Sequence, residues 1–135
     1  KSLIFMAFLS SHVLSQEFKF EAGTIENVDE NTIKASNKIV ISDDQGIKIY
    51  ADKFIYNKEK KIFLITDNVI YSDENNLLNI YSNKIEFNEI NNVITTYDRT
   101  IIKQENRYEL KGKDIIYDKK IKRYPQQKKQ KYQII

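Results

Sequence analysis

The sequence predicts an all-β domain: an antiparallel, jelly-roll-like sandwich built from repeated bent strands. Three observations predict it. Between residues 18 and 118, apolar and polar residues alternate in runs rich in Ile, Tyr, Phe and Thr, which suit a pleated surface. Polar breaks of turn composition interrupt these runs about every 15 residues, at 28–31, 42–46, 57–60, 72–76, 88–92 and 103–106. That spacing is too close for crossover helices. Finally, segments 47–57, 78–88 and 108–118 align at offsets of 31 and 30 residues, with a small residue (Ala51, Ser82 or Gly112) in register.

Taken in chain order, residues 1–15 read as a cleaved leader. Lys1 precedes the apolar core Leu3 to Leu9, and Val13 and Ser15 suit signal peptidase cleavage before Gln16. The apolar run is shorter than the roughly 20 residues of a membrane-spanning helix. Residues 16–118 form the repeat domain. In each aligned copy two apolar residues stand five apart: Ile49 and Phe54, Ile80 and Ile85, Leu110 and Ile115. In a straight strand such positions face opposite sides, so the strand must bend between them for both to reach one core. Ala51, Ser82 and Gly112 sit in that interval and are the expected structural corners. The inward candidates are Ile39, Ile41, Ile49, Phe54, Tyr56, Phe63, Ile65, Ile80, Ile85, Phe87, Leu110, Ile115 and Tyr117. Tyr50 and Tyr81 are expected to form an exposed cross-strand aromatic pair. Residues 119–135 break the repeat with Pro125 and a Gln- and Lys-rich run, and are expected to be a disordered tail or a fragment end.

Composition removes several function classes. Three glycines leave no clustered phosphate loop, and the absence of cysteine removes disulfides, thiolate zinc sites and a lipobox anchor. The one histidine, His12, lies in the leader, so a mature chain has no imidazole for catalysis or metal ligation. The formal charge of +3 is misleading. The tail carries seven basic residues and no acid, while residues 16–118 hold 14 basic residues against all 19 acids, a net −5. Such a body is unsuited to a broad nucleic-acid surface. The carboxylate pairs Asp43/Asp44 and Asp73/Glu74 fall in turns, lack calcium-loop spacing and read as solvated turn residues. No catalytic residue, metal ligand or cofactor site is nominated, and the chain is read as a non-enzyme.

At 49–57 the run Ile-Tyr-Ala-Asp-Lys-Phe-Ile-Tyr-Asn resembles the signature of the OstA/LptA-like domain family, and Asp67-Asn68-Val69 and the segment 35–41 resemble its alternate half-repeat. The resemblance covers about residues 18–118. Asn37, Asp67 and Asp98 stand where the family has glycine, and their tolerance of the left-handed conformation lets them make the same turn. Membership implies a β-taco, two sheets folded into a V. It also implies that lipid A acyl chains of lipopolysaccharide travel between the walls, and that strand edges pair with LptA-like bridge proteins. On that reading Ile39, Ile41, Ile49, Phe54, Phe63, Ile65, Ile80, Ile85, Phe87, Leu110 and Ile115 line a lipid-binding groove. The opening segment 18–26 looks more like the LptD-like branch of the family. That would place the domain on the periplasmic side of the outer membrane with an outer-membrane lipoprotein as a further partner; a free-standing periplasmic bridge protein is the alternative. Outside the family, the competing reading is a structural β-solenoid or adhesin-like scaffold with a dry core.

Overall fold

The computed structural model describes residues 18–105, 107–118 and 126–127. The leader and most of the basic tail lie outside the described residues. The described residues form ten strands in one antiparallel sheet: β1 (Lys19–Glu21), β2 (Thr24–Asp29), β3 (Thr32–Ser42), β4 (Ile47–Asn57), β5 (Ile62–Asp73), β6 (Leu78–Asn88), β7 (Val93–Gln104), β8 (Tyr108–Lys113), β9 (Ile115–Asp118) and β10 (Gln126–Gln127). No helix forms among the described residues, and the all-β class is the one predicted. The polar breaks become the turns. Their Asx side chains accept from backbone N–H groups ahead of them, as in Ile47 N to Asp43 Oδ1 at 2.9 Å, Lys60 N to Asn57 Oδ1 at 2.8 Å and Ile90 N to Asn88 Oδ1 at 2.9 Å.

Strands β3 to β7 are each 11 or 12 residues long and follow one another as a meander. Each is broken once near its middle by a register shift: Ser36/Ile39 in β3, Tyr50/Lys53 in β4, Thr66/Val69 in β5, Ser82/Lys84 in β6 and, facing it, Tyr97/Thr100 in β7. These breaks align across the sheet and divide it into two walls. One wall holds the first halves of β3, β5 and β7, the second halves of β4 and β6, and the short strands β2 and β9. The other holds the complementary halves with β1 and β8. The pairs β1–β2 and β8–β9 are therefore corner-crossing strands interrupted at the corner itself, at Ala22-Gly23 and at Asp114. Gly23 is required there: its N–H donates to Asn37 O at 2.8 Å, and a Cβ would come within 2.8 Å of Asn37 Cβ.

The corner is made of Asx residues in left-handed conformation. Asn37, Asp67, Asp98 and Asp114 have φ of 69°, 70°, 66° and 53°. The first three are the positions where the family has glycine, and they make the turn without it. Alternate strands turn differently. In β3, β5 and β7 the inward residues skip four positions (Ala35 to Ile39, Ile65 to Val69, Thr96 to Thr100), with the left-handed residues between. In β4 the skip is three, from Ala51 to Phe54, which would reverse the face of a straight strand and is absorbed by the bend. The chain thus turns beside Ala51 and Ser82, while the strained backbone lies on their neighbours. The motif that carried the family resemblance sits at this corner: Asp52 Oδ2 accepts from Asn68 Nδ2 at 3.0 Å, and Lys53 Nζ lies 3.5 Å from Asp67 Oδ2.

Two readings differ from what forms. Tyr50 and Tyr81 are not cross-strand partners; Ile70 stands between them, paired to both. In the tail, Gln126 and Gln127 pair with Ile116 and Ile115, so part of the segment read as a departing tail returns to the sheet beside β9.

The corner makes a stability prediction. Asp98→Val should lower the unfolding free energy by about 1–2 kcal/mol, because a β-branched residue resists the left-handed region. Asp98→Gly should leave it within about 0.5 kcal/mol. Urea unfolding of both variants checks this, and equal losses would refute the dependence on backbone conformation.

Candidate functional site

The candidate site is the interior between the two walls. Ile39, Ile41, Ile49, Phe54, Phe63, Ile65, Ile80, Ile85, Phe87 and Ile115 all fall in a single buried cluster, none more than 2% exposed. Leu110 packs against that cluster from the edge strand β8 and is only partly buried. Ala51 belongs to the same cluster; Ser82 and Gly112 are half-buried at the corner. The interior lies between facing walls. Ile39, Ile41, Ile49 and Ile80 come from one, and Phe54, Phe63, Ile65, Ile85, Phe87 and Ile115 from the other.

Opposite the corner, the aromatic rings concentrate. Phe63 stacks with Tyr56 at a centroid distance of 4.2 Å and lies 5.5 Å from Phe54, edge to face. Phe18, just ahead of β1, reaches across to Phe87 at 5.3 Å and Phe63 at 6.0 Å. Because β1 is hydrogen-bonded to the other wall through Ser42 to Val40, Phe18 ties the two walls together on the side away from the corner.

Some interior residues escaped the sequence reading. Ala35, Ile47, Val69, Tyr71, Leu78, Ile94 and Ile102 are also in the core. Val69 and Tyr71 keep the parity of Phe63 and Ile65, so alternation along β5 carries a signal for them across the corner. Thr96 and Thr100 are buried polar residues whose type argues against an inward position. They are tolerated because they satisfy one another: Thr100 Oγ1 lies 2.9 Å from Thr96 Oγ1 and 3.1 Å from Ser82 Oγ, and Thr96 Oγ1 accepts from Ile115 N at 3.0 Å. Asp73, read as a solvated turn residue, is instead 2% exposed. Its carboxylate accepts from Asn76 N at 3.2 Å and Asn76 Nδ2 at 2.9 Å, which offsets the burial.

The interior's electrostatics disfavour anions. Burial, with Asp73 nearby, pushes the Tyr117 hydroxyl up to about 12. Burial raises Tyr71 further, with Asp73, Tyr117 and Asp43 adding repulsion, and the Tyr71 hydroxyl has no hydrogen-bond partner. At the aromatic side, Tyr56 OH donates to Glu89 Oε1 at 2.9 Å. Burial raises Glu89, opposed by that hydrogen bond and by Lys61. The buried polar and charged residues of the core are Asp73, Thr96 and Thr100, so no buried cation stands among the described residues to hold a phosphate or carboxylate. Nor is any group of three or more His, Cys, Asp or Glu among them placed to hold a metal ion. Such an interior suits apolar groups and leaves charged groups in water.

The sequence profile of the OstA-like protein family matches residues 20–125. The chain belongs to the OstA-like family. No curated protein matches its sequence at a significant level. In shape this OstA-like chain is similar to the crystal structure of LptH from Pseudomonas aeruginosa. That protein is described as the LptA-homologous periplasmic component of the conserved lipopolysaccharide transport device. The TM-score is 0.67 at 16% identity over 76% of each chain, a likeness of fold. The two-walled bent sheet predicted for the family is thus the fold the OstA-like chain adopts.

Two outcomes are expected at Tyr71 and its neighbours. Tyr71→Phe should raise the melting temperature, because it removes a buried hydroxyl without a partner, worth about 1 kcal/mol. The raised tyrosines contribute stability that is complete below pH 10 and falls as pH rises towards 12. Thermal melts followed across that range should therefore show the wild type losing stability earlier than Tyr71→Phe.

Proposed function

We propose that this chain is a periplasmic lipopolysaccharide-transport module that holds lipid A acyl chains between its two walls and passes them along a row of like domains. One observation carries the reading: a continuous apolar interior, without a buried cation, runs through stacked strands whose outermost members are unpaired edges. Among the described residues, β1 and β2 end the sheet on one side and β8 and β10 on the other. Family membership and the likeness to LptH support the choice of lipid. Each CH₂ entering the interior leaves water for a gain of about 0.8 kcal/mol, while sugars and phosphates stay outside. No bond is made or broken in such a task, so the chain acts as a carrier and not an enzyme. The side chains close on one another in the present state, so an acyl chain enters by parting the walls.

The edges supply the partners. An open strand edge presents unpaired N–H and C=O groups that a strand of an LptA-like bridge protein completes. In the finer reading, segment 18–29 adds a corner-crossing pair ahead of the first long strand, which favours the LptD-like arrangement at the outer membrane, with a lipoprotein partner adjoining. A closed, dry scaffold is the competing reading, and the tight packing of the interior favours it.

A photo-crosslinking residue at Ile49, Ile80 or Leu110 should label lipopolysaccharide in cells, whereas one at Asn75 should not. Labelling confined to Asn75 would leave the dry scaffold as the answer. Crosslinkers in β1 or β8 should capture a bridge protein. Capture at Glu74, exposed in the turn after β5, to the same extent would refute edge pairing.

A further inference from the structure

The outer face of the wall that contains β1 and β8 carries an apolar row that no other strand among the described residues packs against, with Lys103 Nζ 5.6 Å from the Tyr81 ring centroid. Tyr50 is the cross-strand partner of Ile70, and Ile70 of Tyr81. Val40 extends the row beyond Tyr50, and Ile101 extends it beyond Tyr81. Each faces outward: its neighbours along the strand, such as Ile49 and Ala51 beside Tyr50 or Val69 and Tyr71 beside Ile70, are core residues. Tyr50 and Tyr81 are 40% and 36% exposed. The row ends in opposite charges. Glu21 on β1 is the partner of Val40, and Lys111 on β8 is the partner of Ile101. The next row towards the turns, with Lys48, Ser72 and Asn79 at its middle, is polar throughout. It also ends in opposite charges, Lys19 on β1 and Glu109 on β8. An apolar stripe rimmed by polar groups is the pattern of an interaction surface.

The stripe is a palindrome about Ile70. Rotation of a second copy by 180° about an axis lying between two stacked sheets, along the central strand β5, reverses the row. Ile70 then meets Ile70, Tyr50 meets Tyr81, Val40 meets Ile101 and Glu21 meets Lys111. The polar row reverses with it, and Lys19 meets Glu109. Both charged ends are thus matched by the same operation that matches the apolar residues, as an isologous two-fold interface requires. A two-fold axis running across the strands would make like charges coincide instead. We infer that this outer face is a self-association surface, occupied by a second copy of this chain stacked face to face on β5. Aligned sheets pack about 10 Å apart with a rotation near 30°. The contacts beside the axis hold under that rotation, and the long side chains of Glu21 and Lys111 span it at the ends. Five apolar residues and their charged ends are far fewer than the roughly 20–30 residues a side of a stable complex, so the pairing is weak and concentration-dependent. It uses the face of the sheet and leaves the strand edges free, so it stands independently of lipid carriage and edge pairing.

The chain contains no cysteine, so single cysteines can be placed cleanly. Sheets about 10 Å apart are too distant for a disulfide, so a bismaleimide of similar span is the probe. Ile70→Cys should crosslink to itself, and Tyr50→Cys should crosslink to Tyr81→Cys when the two are mixed. Ile55→Cys, 41% exposed on the outside of the other wall, should do neither. In sedimentation, Ile70→Lys and Ile70→Glu should each weaken self-association about tenfold or more by placing like charges across the axis, and an equimolar mixture should restore it. Because position 70 faces outward, both variants should keep the wild-type strand signal and melting temperature, which separates loss of pairing from loss of fold. Equal crosslinking at Ile55→Cys and Ile70→Cys would overturn the proposal, as would a mixture that stays monomeric. It would also fall if the chain remained monomeric while sedimenting with anionic vesicles in a manner that Ile70→Lys abolishes.

Discussion

Every long strand in this protein has to change walls, and the left-handed Asx corner is what lets it do so. In a flat sheet the apolar face of β3, β5 and β7 would have no facing layer, and the two halves of β4 and β6 would turn their apolar residues to opposite sides. Interrupting β3, β5 and β7 with residues at positive φ, in register with the bends of β4 and β6, folds the sheet along one line and turns both halves inward. The corner is also stitched laterally. Asn68 donates to Asp52 on one side and lies 3.3 Å from Asn83 on the other, and Asp98 N donates to Asp114 Oδ1 at 3.3 Å. The polar spine outside and the apolar interior inside are two sides of the same fold line.

The interior follows from that geometry. With both walls contributing alternate residues, aliphatic side chains fill much of the interior, and Tyr56, Phe63 and Phe87 gather with Phe18 on the side away from the corner. Polar groups that cannot avoid the inside are handled in two ways. Thr96, Thr100 and Ser82 satisfy each other and the backbone of Ile115 at the place where β8 gives way to β9. Asp73 holds its own turn. The Tyr71 hydroxyl, buried without a partner, is the exception.

Much of this was legible in the residues themselves. The spacing of the turns and the recurrence of Ala51, Ser82 and Gly112 located the strands and the line along which they bend. The aliphatic and aromatic residues at Ile49, Ile80, Phe63 and Phe87 announced an interior by type and phase. What stayed hidden depends on the two kinds of corner. A three-residue skip reverses parity and is conspicuous in β4 and β6; a four-residue skip preserves parity, so the bends of β3, β5 and β7 leave no mark on the alternation. Thr96 and Thr100 were invisible for a different reason: their burial depends on hydroxyl partners from other strands, which no local pattern records. The position of Ile70 between Tyr50 and Tyr81 likewise depends on pairing register, which is set at the corner and not within either repeat.

Phe18 gives the first strand a mechanical role. The two walls join at the corner, and on the opposite side the N-terminal segment, hydrogen-bonded to one wall, sets the Phe18 ring against Phe63 and Phe87 of the other. Spreading the walls there must either pull Phe18 from its aromatic seat or peel β1 from β3. In the second case the backbone groups of Val40 to Ser42 become an available strand edge at the moment the interior opens. Access to the inside and availability of that edge are then two readings of one latch.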